Sequence, residues 1–154
     1  MTRVFTTASL APADIPPAFP LVQAAFPGID FGAWRVFAAR LLGEAEGARS
    51  GAVGLRNEAG YLCGLLIYRA ERHLRHGKVL SVDLFTALDV TGEAAAANAL
   101  LTAAEAKASE LGCCATHILI DGAQRFLAET IAKAGHRSEA NLFCKRLVAA
   151  TPPN

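Results

Sequence analysis

The sequence predicts an α/β chain of the α+β kind: a mixed, mostly antiparallel central sheet with helices on both faces. Three observations carry this. Residues 52–56 and 60–71 read as strands joined by Asn57, Glu58, Ala59 and Gly60, a run of turn formers suited to a hairpin. Residues 79–87 (VLSVDLFTA) form an apolar strand that passes through a Gly-containing turn into an Ala-rich helix. In that helix Ala97, Leu100, Leu101, Ala104, Ala108 and Leu111 recur at helical spacing. Residues 115–120 (ATHILI) then return as a strand, so antiparallel strands come first and a strand–helix–strand crossover second.

The remaining elements follow in order. Residues 3–10 are rich in β-branched side chains and read as a strand. Pro12, Pro16, Pro17 and Pro20 punctuate the next stretch, and because proline opens a helix but does not sit inside one, a short helix is expected over 18–26. Asp30 suits the N-cap of a second helix, with Phe31, Trp34, Phe37, Ala38 and Leu41 on one face and Gly43 and Gly47 closing it. Residues 72–78 (RHLRHGK) make a basic turn into the strand at 79. Gly112 ends the Ala-rich helix, and Asp121 and Gly122 form a turn. A helix over 123–134 then turns Phe126, Leu127, Thr130 and Ile131 inward and stops at Gly135. Residues 141–147 read as a last strand. The order is β-α-α-β-β-β-α-β-α-β, with residues 1–150 as one domain and 151–154 as a frayed tail.

Composition narrows the function. A chain of 154 residues with 53% hydrophobic and 19% charged residues is globular and can bury a core. A net charge of +1 supplies no field for nucleic acid, and no apolar run nears the roughly 20 residues that span a bilayer. No signal-peptide pattern opens the chain, so cytoplasm is the default expectation. Cys63, Cys113, Cys114 and Cys144 lack metal-binding spacing and read as reduced thiols, with Cys63 and Cys144 inside strands. Exposed sheet edges make a homodimer a reasonable partner state.

The element order over nearly the whole chain resembles the GCN5-related N-acetyltransferase (GNAT) superfamily. VDLFTAL resembles that family's fourth strand, whose splayed end takes the pantetheine arm of acetyl-CoA. ALLTAAEAKASELGC resembles its third helix, and LAETIAKAGHR its fourth. The resemblance implies an N-acetyltransferase moving an acetyl group from acetyl-CoA to a primary amine, small molecule or peptide. The family's phosphate loop reads (Gln/Arg)-x-x-Gly-x-(Gly/Ala). Here Asp89-Val90-Thr91-Gly92-Glu93-Ala94 fits with Asp in place of Gln or Arg, and a second register puts Ala95 and Ala97 at the small positions. The implied cofactor contacts are the main chain of Leu84, Phe85 and Thr86, the turn at Thr91, Gly92, Glu93, Ala94 and Ala95, and Gln124.

The departures from the pattern have physical consequences. Small residues let backbone N–H groups reach phosphate oxygens. Asp89 and Glu93 place carboxylates at the same spot, and a like-charge pair at ~6 Å costs about 2–3 kcal/mol before screening. Glu93 also suits the first turn of a helix as a plain dipole partner. The family's frequent general acid, a Tyr four residues before the Gly that ends the fourth helix, is replaced by Ile131. These departures support a second reading, a binding or dimerisation module that has lost acetyl-CoA turnover. A third is an anionic-ligand binding protein without transfer.

Asp83 is the candidate general base. Simple alternation puts Leu80, Val82 and Leu84 on one face and Val79, Ser81, Asp83 and Phe85 on the other. A carboxylate on a central strand needs a partner or a wet cleft. It is then either a base with a raised pKa or one half of an ion pair, for instance with Arg69. Arg69, Arg72, His73, Arg75, His76 and Lys78 form the main charge cluster, suited to an acidic substrate, to the 3′-phosphate of CoA, or simply to solvent. His73 and His76 have no third ligand near them in sequence, so no metal site is expected. His117 reads as a core histidine and His136 as a packing residue. Trp34, Phe26, Phe31 and Phe37 read mainly as the packing face of a helical region that lines the acceptor pocket in the GNAT family.

Overall fold

The computed structural model describes residues 4–44, 49–89, 94–121 and 124–148. Five strands lie in sheet order β1 (Thr6–Ser9), β2 (Ser50–Arg56), β3 (Leu62–His73), β4 (Gly77–Ala87) and β5 (Ala115–Ile118). All neighbours are antiparallel except β4 and β5, which run parallel through the crossover helix α3 (Ala95–Glu110). Helices α1 (Ile15–Ala25) and α2 (Phe31–Glu44) cover one face, and α3 with α4 (Arg125–Lys133) covers the other.

Local chemistry explains most boundaries. Asn57 Oδ1 accepts from the N–H groups of Ala59 and Tyr61, which closes the β2–β3 hairpin. Asp30 Oδ1 accepts from Ala33 N at 2.7 Å and caps α2. Gly112 and Gly135 take φ of 71° and 103° just past α3 and α4, where a side chain would be strained. α1 begins at Ile15, earlier than the prolines suggest. Pro16 and Pro17 lie in its first turn, where N–H groups have no intrahelical partner, and Pro20 forfeits only one bond near the helix start.

Two cores flank the sheet. Leu66, Leu80, Val82 and Phe85 pack with Ala97, Leu100, Leu101 and Ala104 of α3 and Leu127 and Ile131 of α4. Leu65, Ile67 and Leu84 pack with Leu21 and Val22 of α1 and Trp34 and Ala38 of α2. Trp34 also donates Nε1–H to the Ile15 carbonyl at 2.8 Å, tying α2 to α1. Of the expected aromatic face only Trp34 is buried; Phe26, Phe31 and Phe37 are exposed. Phe126, expected inward on α4, is also exposed.

The face assignment made from plain alternation in β4 is corrected. Ile67 pairs with Leu84 while Tyr68 pairs with Val82, so Asp83 is an extra residue, a β-bulge. Alternation resets there, putting Leu80, Val82 and Phe85 on the α3 face and Leu84 on the α1–α2 face. The expected strand over 141–147 does not form, and these residues, Cys144 among them, are exposed and unpaired. Cys63 is buried, Cys113 half-buried and Cys114 exposed, and these three and Cys144 are free thiols. Among the described residues no helix is long and apolar enough to cross a membrane.

Candidate active site

The bulge at Asp83 coincides with the point where β4 loses a neighbour. β5 pairs with β4 from Val79 to Val82, and the last main-chain bond between them joins Leu119 N to Val82 O at 2.9 Å. Beyond it, among the described residues, β4 is paired only on its β3 side. A cleft of about 280 Å³ opens beside this stretch, lined by Ala24, Thr86, Ala87, Leu88, Asp89, Gln124, Phe126 and Leu127. An unpaired strand edge offers main-chain donors and acceptors to an extended amide-bearing ligand.

The expected cofactor residues divide. Leu84, Phe85 and Thr86 are buried side chains on the open stretch, and of the three Thr86 lines the cleft. Gln124 precedes α4 and lines the opposite wall. Ala94 takes a left-handed φ of 57° and Ala95 begins α3, whose first turn is tied to the cleft through Asp89, which lines it. Thr91, Gly92 and Glu93 lie outside the described residues.

Sequence reasoning placed Asp89 near the phosphate position but missed what it does. Its Oδ1 accepts from Ala96 N at 2.7 Å and its Oδ2 from Ala97 N at 3.2 Å. The carboxylate therefore occupies two of the first-turn donors that would otherwise face an anion. Its charge also helps burial to push the Cys63 thiol up. Ile131 is buried in the α3–α4 core and offers no acid there.

Asp83 is half-exposed, with Oδ2 3.5 Å from Arg69 Nη2, and Arg69 Nε is 3.3 Å from Glu71 Oε2. Burial raises its pKa above the usual carboxylate value; Arg69 opposes this and Glu71 adds to it. Asp83 is thus ion-paired with Arg69 while burial raises its affinity for a proton. Glu71 in turn accepts a 2.5 Å bond from Ser81 Oγ.

The basic turn lies elsewhere. Lys78 Nζ donates to the Leu111 carbonyl at the C-terminal end of α3. The helix has 16 residues, about 24 Å at 1.5 Å each, so the turn and the α3 N-terminus stand at opposite ends of α3. A larger hollow, about 560 Å³, opens beside this hairpin between Arg49, Glu71, Arg72, His73 and Lys78, remote from the open β4 edge. The parallel pairing sets His117 opposite Ser81 and so beside His73 and His76, supplying the third imidazole that sequence spacing could not show. Burial, then His73 and His76, hold His117 below the usual imidazole pKa. His136 Nε2 meets Thr116 Oγ1 at 2.8 Å.

No protein-family model and no curated protein sequence matches the chain. Solved structures do. An aminoglycoside N-acetyltransferase, AAC(6')-Iy, in complex with CoA superposes with a TM-score of 0.78 at 11% identity, over 97% of this chain and 98% of that one. A ribosomal-protein-alanine N-acetyltransferase from Brucella melitensis biovar Abortus 2308 gives a TM-score of 0.70 at 19% identity, over 94% and 99%. The chain has the GNAT fold. A transcriptional regulator from Bacillus halodurans C-125 is also similar, with a TM-score of 0.79 at 10% identity over 94% and 100% of the two chains. At these identities the likeness concerns architecture.

Proposed function

We propose that this chain is an N-acetyltransferase that moves an acetyl group from acetyl-CoA directly to a primary amine. The observation that carries the reading is the β4 edge left open past the bulge at Asp83, with the cleft beside it. The edge fits the amide-rich arm of the co-substrate. A thioester brought there supplies an acyl carbon open to attack and a leaving thiol of pKa near 8.5. Outward main-chain N–H groups within residues 84–86 steady the carbonyl oxygen as charge develops on it. Asp83 takes the proton that the amine loses as the C–N bond forms and the C–S bond breaks.

The pyrophosphate end fits less well, because Asp89 already holds the N–H groups of Ala96 and Ala97. That contact favours a second reading, a binding or dimerisation module with the same fold and no turnover. One experiment separates the two. Acetyl-CoA is titrated by calorimetry, and thiol release is followed with a panel of primary amines. The transferase reading expects binding and thiol release with at least one amine. No binding at millimolar acetyl-CoA and no thermal shift would leave the module reading standing.

A further inference from the structure

We propose that His73, His76 and His117 form a binding site for one divalent transition metal ion of the Zn²⁺ class. The three come from the end of β3, the β3–β4 turn and β5, and their candidate ligand atoms all lie within 4.8 Å of one another. Ring centroids are 4.7 Å apart for His73 and His117, 5.2 Å for His73 and His76, and 5.3 Å for His76 and His117. Zn–N bonds of about 2.0–2.1 Å put tetrahedral ligand atoms about 3.4 Å apart, so binding requires the rings to close by roughly 1.4 Å at most. His73 is exposed at the hairpin end and has room to make that adjustment.

The donor set selects the ion. Three imidazoles suit Zn²⁺, Ni²⁺ or Cu²⁺, whereas Mg²⁺ and Ca²⁺ want oxygen ligands. His76 Nε2 meets Glu139 Oε2 at 2.7 Å, which leaves Nδ1 for the metal and gives the ring an orienting carboxylate. His73 Nδ1 accepts from the N–H groups of Arg75 and His76 at 3.2 and 3.3 Å. Coordination through its Nε2 moves that ring's proton to Nδ1 and gives up these two long contacts. The ion would join the hairpin tip to β5 at the end of the sheet away from the α3 N-terminus, so the site does not depend on the acyl-transfer reading.

The test uses the full chain without an affinity tag, stripped with a chelator and titrated with ZnCl₂ by calorimetry and with Co²⁺ by absorption. The site predicts one equivalent of Zn²⁺ per chain. It also predicts visible Co²⁺ bands of a low-coordinate nitrogen site, without the near-ultraviolet absorption of a cobalt–thiolate bond. His73→Ala and His117→Gln each weaken Zn²⁺ binding by at least the roughly 10–100-fold that outer-shell changes cost, and His136→Ala leaves it unchanged. If His117→Gln fails to fold, the exposed His73→Ala still decides. Absence of stoichiometric Zn²⁺ binding, binding that survives loss of His73, or thiolate absorption from Cys113 or Cys114 overturns the proposal.

Discussion

Asp89 caps α3 from seven residues upstream, its Oδ1 accepting the main-chain N–H of Ala96 at 2.7 Å. The same contact stabilises the helix and competes with an incoming phosphate. Asp89→Ala is therefore expected to lose about 0.5–2 kcal/mol of stability, the cost of a missing cap, read from thermal denaturation. It gains acetyl-CoA affinity, because a carboxylate ~6 Å from a phosphate costs about 2–3 kcal/mol at an effective dielectric near 20. Calorimetry should show binding tighter by roughly tenfold to a hundredfold. Asp89→Asn keeps a capping oxygen and sheds the charge, so it gains affinity with little loss of stability. An acetyl-pantetheine thioester, lacking the pyrophosphate, should bind equally well to parent and variant.

Asp83 and Arg69 make a prediction about pH. A general base works when deprotonated, and burial raises the Asp83 pKa above its ordinary 3.8. The rate then climbs with pH through that raised value, giving the profile an acid limb. Arg69 lowers the Asp83 pKa, so Arg69→Gln moves the limb to higher pH without abolishing turnover. Asp83→Asn costs about 10²–10⁴-fold in kcat. A limb that stays in place in Arg69→Gln would remove Asp83 from the role.

Asp14 governs stability in acid. The Ala11 N–H bond at 2.9 Å and the Arg56 guanidinium hold its pKa below the ordinary 3.8 against the opposing effect of burial. A carboxyl depressed by folding stabilises the folded chain above its unfolded pKa, and that contribution is lost as pH falls through the folded value. The melting temperature should therefore fall on acidification from about 3.8 downward. Asp14→Asn starts less stable and shows a flatter profile in that window.

Trp34→Phe isolates one buried bond. It keeps most of the ring's volume and leaves the Ile15 carbonyl without its 2.8 Å donor. The expected loss is about 0.5–1.5 kcal/mol in a denaturant titration, the net worth of one hydrogen bond, since the carbonyl still accepts within α1. Phe37→Leu, on an exposed ring, should change stability by less than about 0.5 kcal/mol.

The order of elements up to α4 is legible because each rests on local pattern: turn formers at residues 57–60, helical spacing from Ala97 to Leu111, glycines at 112 and 135. The bulge at Asp83 leaves no such mark, since an extra residue in a strand changes pairing and not composition; the faces of Leu84 and Phe85 follow from it. Residues 141–147 read as a strand, yet a strand exists only where a neighbour pairs with it. The site shows the same division. The end of β4, Asp89 and the start of α3 lie close in sequence and are visible there. The histidine cluster joins residues 73 and 76 to 117 through a parallel pairing, which spacing cannot reveal. The sequence places the Asp89 charge near a phosphate position, but its bonds to Ala96 and Ala97, seven and eight residues on, follow no helical or strand spacing.

The bulge also constrains how β4 can change. One residue at position 83 lets a single strand serve the α3 core with Leu80, Val82 and Phe85 and the α1–α2 core with Leu84. Removing that residue would exchange the α3-facing and α1–α2-facing positions for everything after it. For the fold, length at this point is held more tightly than identity: the pairing asks only that position 83 be filled, while the proposed chemistry asks for its carboxylate.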